Sequence, residues 1–318
     1  MKKLFFLLCA VLVSLGSSAR LPDFPDFSDD NGYLYKLFRD DVTGDLIEGH
    51  DGEVQFWGVD LNKEGMQERC EMMKKFVVPV KMTGKDRNGN TVTMRVTAVH
   101  DHAFSYFPNL EELAVPEGII YVNPFSLSDC KAKRISIPAS WTKHMYNFNG
   151  YKNQWESIKV AKAHPDYSDV NGVLFNKAKT VLVKCPRCFN GKLVLPPTLK
   201  VIGDNAFEDG QNLTKVVLPE GVDTLGSSAF YQSTIEELVL PASLKVMKHN
   251  ALNYCKKLRI LRSKSATPPQ AIIREGTLDS MELWGMELDS LVVYIPKGSL
   301  EAYRNALWWR KIQNFVEE

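Results

Sequence analysis

Beyond its first twenty residues the chain has no run of eighteen apolar residues, so nothing there can cross a bilayer as a helix. It has no charge excess of either sign. The first nineteen residues hold Lys2, Lys3 and no acid, so without them 39 Lys and Arg fall to 37 against 38 Asp and Glu. A net charge of −1 excludes nucleic acid as the main partner, because phosphate binding needs a clear basic excess. The motifs of common enzyme classes are missing: no G-x-S-x-G, Walker loop, H-E-x-x-H or dinucleotide fingerprint occurs. None of the histidines stands in a triad arrangement, and no cofactor is expected. Cysteine is sparse. Cys70, Cys130, Cys185, Cys188 and Cys255 remain after residue 19, an odd and scattered set that is not the framework of a disulfide-stapled domain. Most of them read as small buried hydrophobes.

What is present describes a folded, exported chain. A hydrophobic fraction of 44% with 24% charged residues is too apolar for disorder, and 318 residues allow about two domains. Met1–Ala19 reads as a secretory signal peptide. Lys2 and Lys3 form the charged start, Leu4–Leu15 is an apolar stretch too short to span a membrane, and Ser17 and Ala19 are the small residues before a cut after Ala19. Cys9 is not a lipoprotein cysteine on this reading, since Phe6-Leu7-Leu8 puts no small residue beside it. The expected destination is periplasmic, cell-surface or secreted, a space that permits disulfides.

From about Val96 one pattern recurs: apolar–x–apolar–Pro, a variable stretch, Ala-Phe, then Leu. It appears as Leu113-Ala114-Val115-Pro116, Ile135-Ser136-Ile137-Pro138, Leu193-Val194-Leu195-Pro196, Val216-Val217-Leu218-Pro219 and Leu238-Val239-Leu240-Pro241. Ile158-Lys159-Val160-Ala161 is the same element without its proline. Steps of 22 or 23 residues mark a solenoid, in which each coil buries its apolar face against its neighbours. The alternating pair points inward from a short strand, and proline ends the ladder at one place per coil. Gly203 and Gly226 suit a tight corner. Ala103-Phe104, Ala206-Phe207 and Ala229-Phe230 fill the interior, and Leu110, Leu213, Ile235 and Leu258 close each coil.

These coils resemble the BspA-type leucine-rich repeats of exported bacterial surface proteins over roughly Val96–Ser263. Pro219–Leu240 carries a near-complete repeat, and Tyr254-Cys255 matches the family's frequent cysteine after the turn. His100 and Lys248 replace the corner glycine, Pro124 the alanine before Phe125, and Leu252 the phenylalanine; the coil after Pro138 has lost Ala-Phe. The 35-residue step from Ala161 to Pro196 holds an excess that reads as a β-hairpin, Tyr167–Phe175 and Thr180–Lys184 about a turn at Asn176–Lys179. Its Asn-Gly-Val-Leu-Phe … Leu-Val-Lys-x-Pro sequence resembles an insertion common in the family.

The expected class is an α+β repeat solenoid with short parallel strands and two caps. The divisions are a leader over 1–19, a β-rich N-terminal capping domain over 20–95, a solenoid over 96–263 with the hairpin insertion at about 165–190, and a C-terminal cap over 264–318. The N-terminal flank has strand-like runs at Tyr33–Phe38, Glu53–Val59, Phe76–Lys81 and Thr91–Val96, a helix-like Asn62–Lys75, and a turn signal at Asn88-Gly89. The C-terminal flank offers a strand at Val292–Ile295. An amphipathic helix follows over Ser299–Glu317, with Leu300, Tyr303, Leu307, Trp308 and Phe315 on its apolar side.

Four features carry candidate chemistry. Cys185-Pro186-Arg187-Cys188 could run thiol exchange, but it follows a strand instead of opening a helix, and passive thiols or a local disulfide compete with that reading. His100-Asp101-His102 lacks a third ligand at metal spacing, so no metal is expected. Lys256–Lys264 packs five basic residues that either attract an anionic polysaccharide or lipid, or pair with Glu275, Asp279, Glu282, Glu287 and Asp289. Trp141, Tyr146, Phe148, Tyr151 and Trp155 crowd the coil that lost Ala-Phe. They form either a stacking patch for sugars or the replacement core of that coil.

The leading functional reading is a non-catalytic binding or adhesion module that recognises an extracellular protein or glycan through the repeat sheet face. The resemblance implies adhesion or host-interaction roles for some members. A thiol-disulfide enzyme using Cys185 and Cys188, or a structural envelope component, are the alternatives. The middle residue of each strand points outward, giving the row Ala114, Ser136, Lys159, Val194, Val217, Val239 and Arg259. Beside it runs Glu112, Arg134, Ser157, Lys192, Lys215, Glu237 and Lys257. Candidate contacts are therefore Val194, Val217 and Val239, rimmed by Lys192, Lys215 and Glu237, although β-branched residues on a sheet also stabilise it by cross-strand packing.

Overall fold

The computed structural model describes residues 25–39, 45–86, 88–128, 130–142, 153–272 and 283–318. The leader, with its cut after Ala19, and Tyr146, Phe148 and Tyr151 lie outside them.

The chain forms a stacked series of coils, with parallel strands on one side and turns on the other. Two sheets make the strand side. The first stacks Lys75–Val77, Glu112–Ala114, Arg134–Ile137 and Ser157–Val160, every neighbouring pair parallel. The second stacks Lys215–Val217, Glu237–Leu240, Ile260–Ser263, Val292–Ile295 and Phe315–Glu317, again parallel throughout. In both, period-2 alternation sends one side chain of each pair inward: Leu113, Ile135, Ile158, Val216, Leu238 and Leu261 are buried.

The opposite flank holds strands of two residues, Val201–Ile202, Thr224–Leu225, Val246–Met247 and Gln270–Ala271, one per coil and parallel. Gly203 and Gly226 follow the first two. A Cβ on Gly226 would lie 2.5 Å from the Gly203 carbonyl carbon, so glycine is needed here for close approach of coils. Four residues after each corner strand comes the small–large pair, Ala206-Phe207, Ala229-Phe230 and Ala251-Leu252, all buried. Residues just before these pairs, Asn205, Ser228 and Asn250, adopt left-handed φ of 56°, 53° and 58°. The N–H groups of Asn205, Phe207 and Asp209 donate to carbonyls of Ser227, Ala229 and Tyr231 in the next coil. Polar side chains also bridge coils: Ser243 Oγ accepts from Gly221 N and donates to the Val222 carbonyl, both at 2.8 Å. Ser140 does the same for Gly118 and Ile119.

Several sequence expectations move. Ser126 and Leu127 fill the interior slot expected of Pro124-Phe125, because Val122 pairs with Val99 and sets the count; Phe125 stands 64% exposed. The first coil also begins earlier than Val96. Phe76-Val77-Val78-Pro79 is a full strand element of the first sheet, hidden in sequence because a hairpin, Lys81–Lys85 with Thr91–Val99, stretches the step to Pro116 to 37 residues. That hairpin joins Phe27–Asp29, Tyr33–Lys36 and Glu53–Val59, and a parallel pairing of Glu53–Val59 with Thr91–Val99 closes the five strands into a ring. Its interior is continuous with the first coils through Phe56, Phe76, Phe104 and Phe107, whose rings lie 4.8–6.1 Å apart. The helix expected over Asn62–Lys75 covers only Met66–Met72.

The insertion is a three-stranded meander, not a two-stranded hairpin. Asn171 and Gly172, at φ 50° and 86°, make the tight turn between Tyr167–Val170 and Val173–Asn176, and Val181–Lys184 follows. Along the middle strand, Val173 faces one hydrophobic core and Leu174 the other, so the meander divides the interior in two. At the C-terminal end the expected long helix is the six-residue Leu300–Asn305, and Phe315 lies on the last strand of the second sheet. Tyr303 and Trp308 are buried as expected, joined by Trp309, while Leu307 is exposed.

Candidate functional site

The meander decides which part of the strand side can act as one surface. Ser157–Val160 ends the first sheet because its free edge is taken: Ile158 N–H donates to the Gly172 carbonyl at 2.9 Å and Val160 N–H to Asp169 Oδ1 at 2.8 Å. Asp169 Oδ2 also meets Lys159 Nζ at 3.2 Å. Lys192–Leu195 is not part of either sheet, and Lys215–Val217 is the edge strand of the second. Val194 and Lys192 are exposed but lie off the ladder that carries Lys215, Val217, Glu237 and Val239.

Within the second sheet, the outward row runs Val217, Val239, Arg262, Tyr294 and Val316 in register. This corrects two expectations. Arg259 and Lys257 are not in the row, because the strand of their coil is Ile260–Ser263 and Leu261 is its inward residue. The signal was available: Leu213, Ile235 and Leu258 each stand three residues before the inward residue, which selects Leu261. Val239 is also no exposed anchor, at 7% exposure against 49% for Val217. Its register neighbour Arg262 is held across the sheet. The guanidinium stacks 3.8 Å over the Tyr294 ring and bonds Glu318 at 2.7 Å and Glu237 at 3.4 Å. Val239 is flanked by paired strands on both sides, whereas Val217 is flanked on one. Lys215 meets Glu237 at 2.9 Å, so a line of alternating charge, Lys215–Glu237–Arg262–Glu318, borders Val217.

The aromatic patch does not form a platform on its described members. Trp141 and Trp155 are core residues of the N-terminal cluster. They replace the missing Ala-Phe interior, because a coil without those side chains must fill its volume with others. His164, fully buried, donates from Nε2 to the Trp141 carbonyl at 2.9 Å and accepts the Asp166 and Tyr167 N–H groups at Nδ1.

The five cysteines among the described residues are free, and burial works against thiolate chemistry. The Cys185 thiol, fully enclosed, is pushed up to about 12, outweighing the attraction of adjacent Lys184. Burial also raises the Cys188 thiol, with Arg187 opposing. Lys184 is itself buried, donating to the Asn205 carbonyl at 2.9 Å; desolvation holds its ammonium below the usual lysine range, and Glu208 at 3.8 Å offsets this only in part.

His100 Nδ1 lies 2.5 Å from Asp101 Oδ1, and among the described residues no three His, Cys, Asp or Glu side chains are grouped for a metal. The basic run is partly paired, though with partners other than those expected. Arg262 takes Glu237 and Glu318, Lys264 takes Glu220 at 3.5 Å, and Arg259 donates to carbonyls of its own turn. Glu275, Asp279 and Glu282 lie outside the described residues. No helix among the described residues is long and apolar enough to cross a membrane.

A model of the BspA-type leucine-rich repeat region matches residues 88–175 and 185–299 in six copies. Among solved structures, the chain is similar to a leucine-rich repeat protein from Eubacterium ventriosum, with 18% identity, 84% of this chain and 80% of that one covered, and a TM-score of 0.47. The pneumococcal vaccine antigen PcpA is 16% identical over 93% of this chain and 99% of that one, with a TM-score of 0.36. A leucine-rich repeat protein from Bacteroides ovatus is 16% identical over 89% and 86%, with a TM-score of 0.30. No functionally curated protein matches the chain.

Proposed function

The chain belongs to the BspA-type leucine-rich repeat family, and from that premise we propose that it is an exported, non-catalytic binding module that engages an extracellular protein or glycan through its second sheet. One observation carries the reading: an exposed valine, Val217, sits on a rigid parallel sheet with a bonded line of alternating charge along its border. An apolar spot with a fixed polar rim is the general form of a modest interface. The contact set is Lys215, Val217, Glu237 and Arg262, with the exposed Lys192 and Val194 of the preceding repeat as further members. The enclosed Cys185 thiol counts against the thiol-enzyme alternative.

Export with cleavage after Ala19 makes Arg20 the first residue of the mature protein, which N-terminal sequencing of extracytoplasmic material checks; an intact Met1 would refute it. For binding, immobilised protein is offered extracellular matrix proteins and a glycan array. Val217→Glu, which leaves the coil interior intact, is expected to weaken the captured partner by at least about tenfold, or 1.4 kcal/mol, with little change in melting temperature. Unchanged affinity would remove the sheet face from the proposal. Concentration-dependent self-assembly in light scattering, without any partner, would favour an envelope building block instead.

A further inference from the structure

We propose a second binding site, on the turn side of the coils, for a carboxylate-bearing saccharide. Its centre is Tyr254. A cleft of about 380 Å³ lies beside this ring, lined also by Asp209, Gln232, Thr234, Lys256 and Lys257. That volume suits one or two sugar units. Tyr254 is held firmly: its backbone is left-handed at φ 60°, and its N–H donates to the Trp284 carbonyl at 2.8 Å. A Cβ on Gly285 would fall on its ring, so glycine there lets the chain close over one side of the tyrosine. Tyr231 packs edge-on against Tyr254 at 5.3 Å. Trp284 stands 6.1 Å from Tyr254 and is 56% exposed, whereas Trp141, Trp155, Trp308 and Trp309 are all buried. The exposed indole thus flanks the Tyr254 ring that lines the cleft, and sugar rings present C–H faces that stack on such aromatic surfaces.

The polar groups define the class of sugar. Lys256 and Lys257 are exposed, and neither forms an ion pair among the described residues, unlike Lys215, Arg262 and Lys264 on the sheet side. Asp209 does not cancel them, because its carboxylate is taken by Arg187 Nε at 2.5 Å. The Gln232 amide and the Tyr254 hydroxyl have no protein partner among the described residues and can meet sugar hydroxyls. Two ammonium groups with no ion pair among the described residues, beside an aromatic face and an amide, fit an acidic saccharide, whether a uronic acid unit or a sialic acid terminus. This site shares no residue with the sheet face, so either can fail without the other.

The test titrates the purified protein with trigalacturonate, 3′-sialyllactose, neutral maltotriose and dextran sulfate, following tryptophan fluorescence and heat. At least one of the two acidic sugars is expected to bind at millimolar concentration or below, and which one names the source; maltotriose should bind at least about tenfold more weakly. Trp284→Ala and the pair Lys256→Gln/Lys257→Gln should each weaken acidic-sugar binding by at least about tenfold, with unchanged unfolding midpoints. Val217→Glu should leave it untouched. The proposal is overturned if neither acidic sugar binds up to about 10 mM, if maltotriose binds equally well, or if Trp284→Ala binds like the parent. Equal capture of dextran sulfate by the parent and Trp284→Ala, with no acidic sugar bound, would reduce the patch to diffuse charge.

Discussion

Trp155→Ala is expected to lower stability by about 3–5 kcal/mol, the range for removing a large aromatic from a packed core. The ring is fully buried in the N-terminal cluster, in the coil after Pro138, which has lost both residues of its Ala-Phe pair. Its backbone bonds do not depend on the side chain: Trp155 N–H donates to Asn153 Oδ1 at 3.2 Å, and its carbonyl accepts the Cys188 N–H at 2.8 Å. The loss is therefore a cavity with little strand rearrangement, and the denaturation midpoint should fall while the slope with denaturant stays constant. Hydrogen exchange should accelerate first in Arg134–Ile137 and Ser157–Val160, which share that core. A midpoint within about 1 kcal/mol of the parent would mean that the indole does not fill the coil, and would return it to the candidate sugar surface.

Phe230→Ala is expected to cost about 3–5 kcal/mol as well, but in the other half of the molecule. Phe230 stacks on Phe207 of the preceding coil with centroids 4.7 Å apart and planes within 2°. Around it, Cys255 Sγ–H donates to the Phe230 carbonyl at 3.0 Å, and the Phe230 N–H reaches the Ala251 carbonyl. Removing the ring takes away both the stack and the volume that separates coils. Phe230→Leu is the control. Leu252 occupies the equivalent slot one coil later, so leucine there should cost about 1–2 kcal/mol. In a solenoid, stability is a sum of coil and neighbour terms, so exchange should rise in Lys215–Val217 and Glu237–Leu240 before the first sheet is affected. Equal losses for alanine and leucine would overturn this, showing that filled volume contributes nothing here and that the phenylalanine ring itself carries the stabilisation.

The two variants report on separate cores, and that division bears on function. The second sheet, with Val217 and its charged border, belongs to the half that Phe230 supports. The turn-side cleft at Tyr254 belongs to the same half, since Cys255 packs within that core. Phe230→Ala should therefore weaken both proposed sites indirectly, whereas Val217→Glu and Trp284→Ala separate them.

Much of this architecture is written in local spacing. The apolar–x–apolar–Pro element, the small–large pair and the 22- or 23-residue step identify a solenoid because each coil solves the same packing problem with the same short backbone path. The inward residues Val216 and Leu238 follow from alternation alone. Phe76-Val77-Val78-Pro79 was equally local, yet its place as the first strand depended on a hairpin folding out of the way and leaving Lys75–Val77 to pair with Glu112–Ala114. Asn171-Gly172 carried its own turn signal but lay inside a run that also reads as continuous strand. The surface was the least legible part. Val217 and Val239 have identical local patterns, but Val217 lies on the edge strand whereas Val239 lies between Val217 and Arg262, which leaves the first exposed and the second buried. Tyr254 and Trp284 are thirty residues apart and meet only because successive turns stack. Alternation along a strand determines which side chains leave a coil; which of them a partner can still reach depends on what neighbouring coils lay across them, and that was decided only when the coils packed.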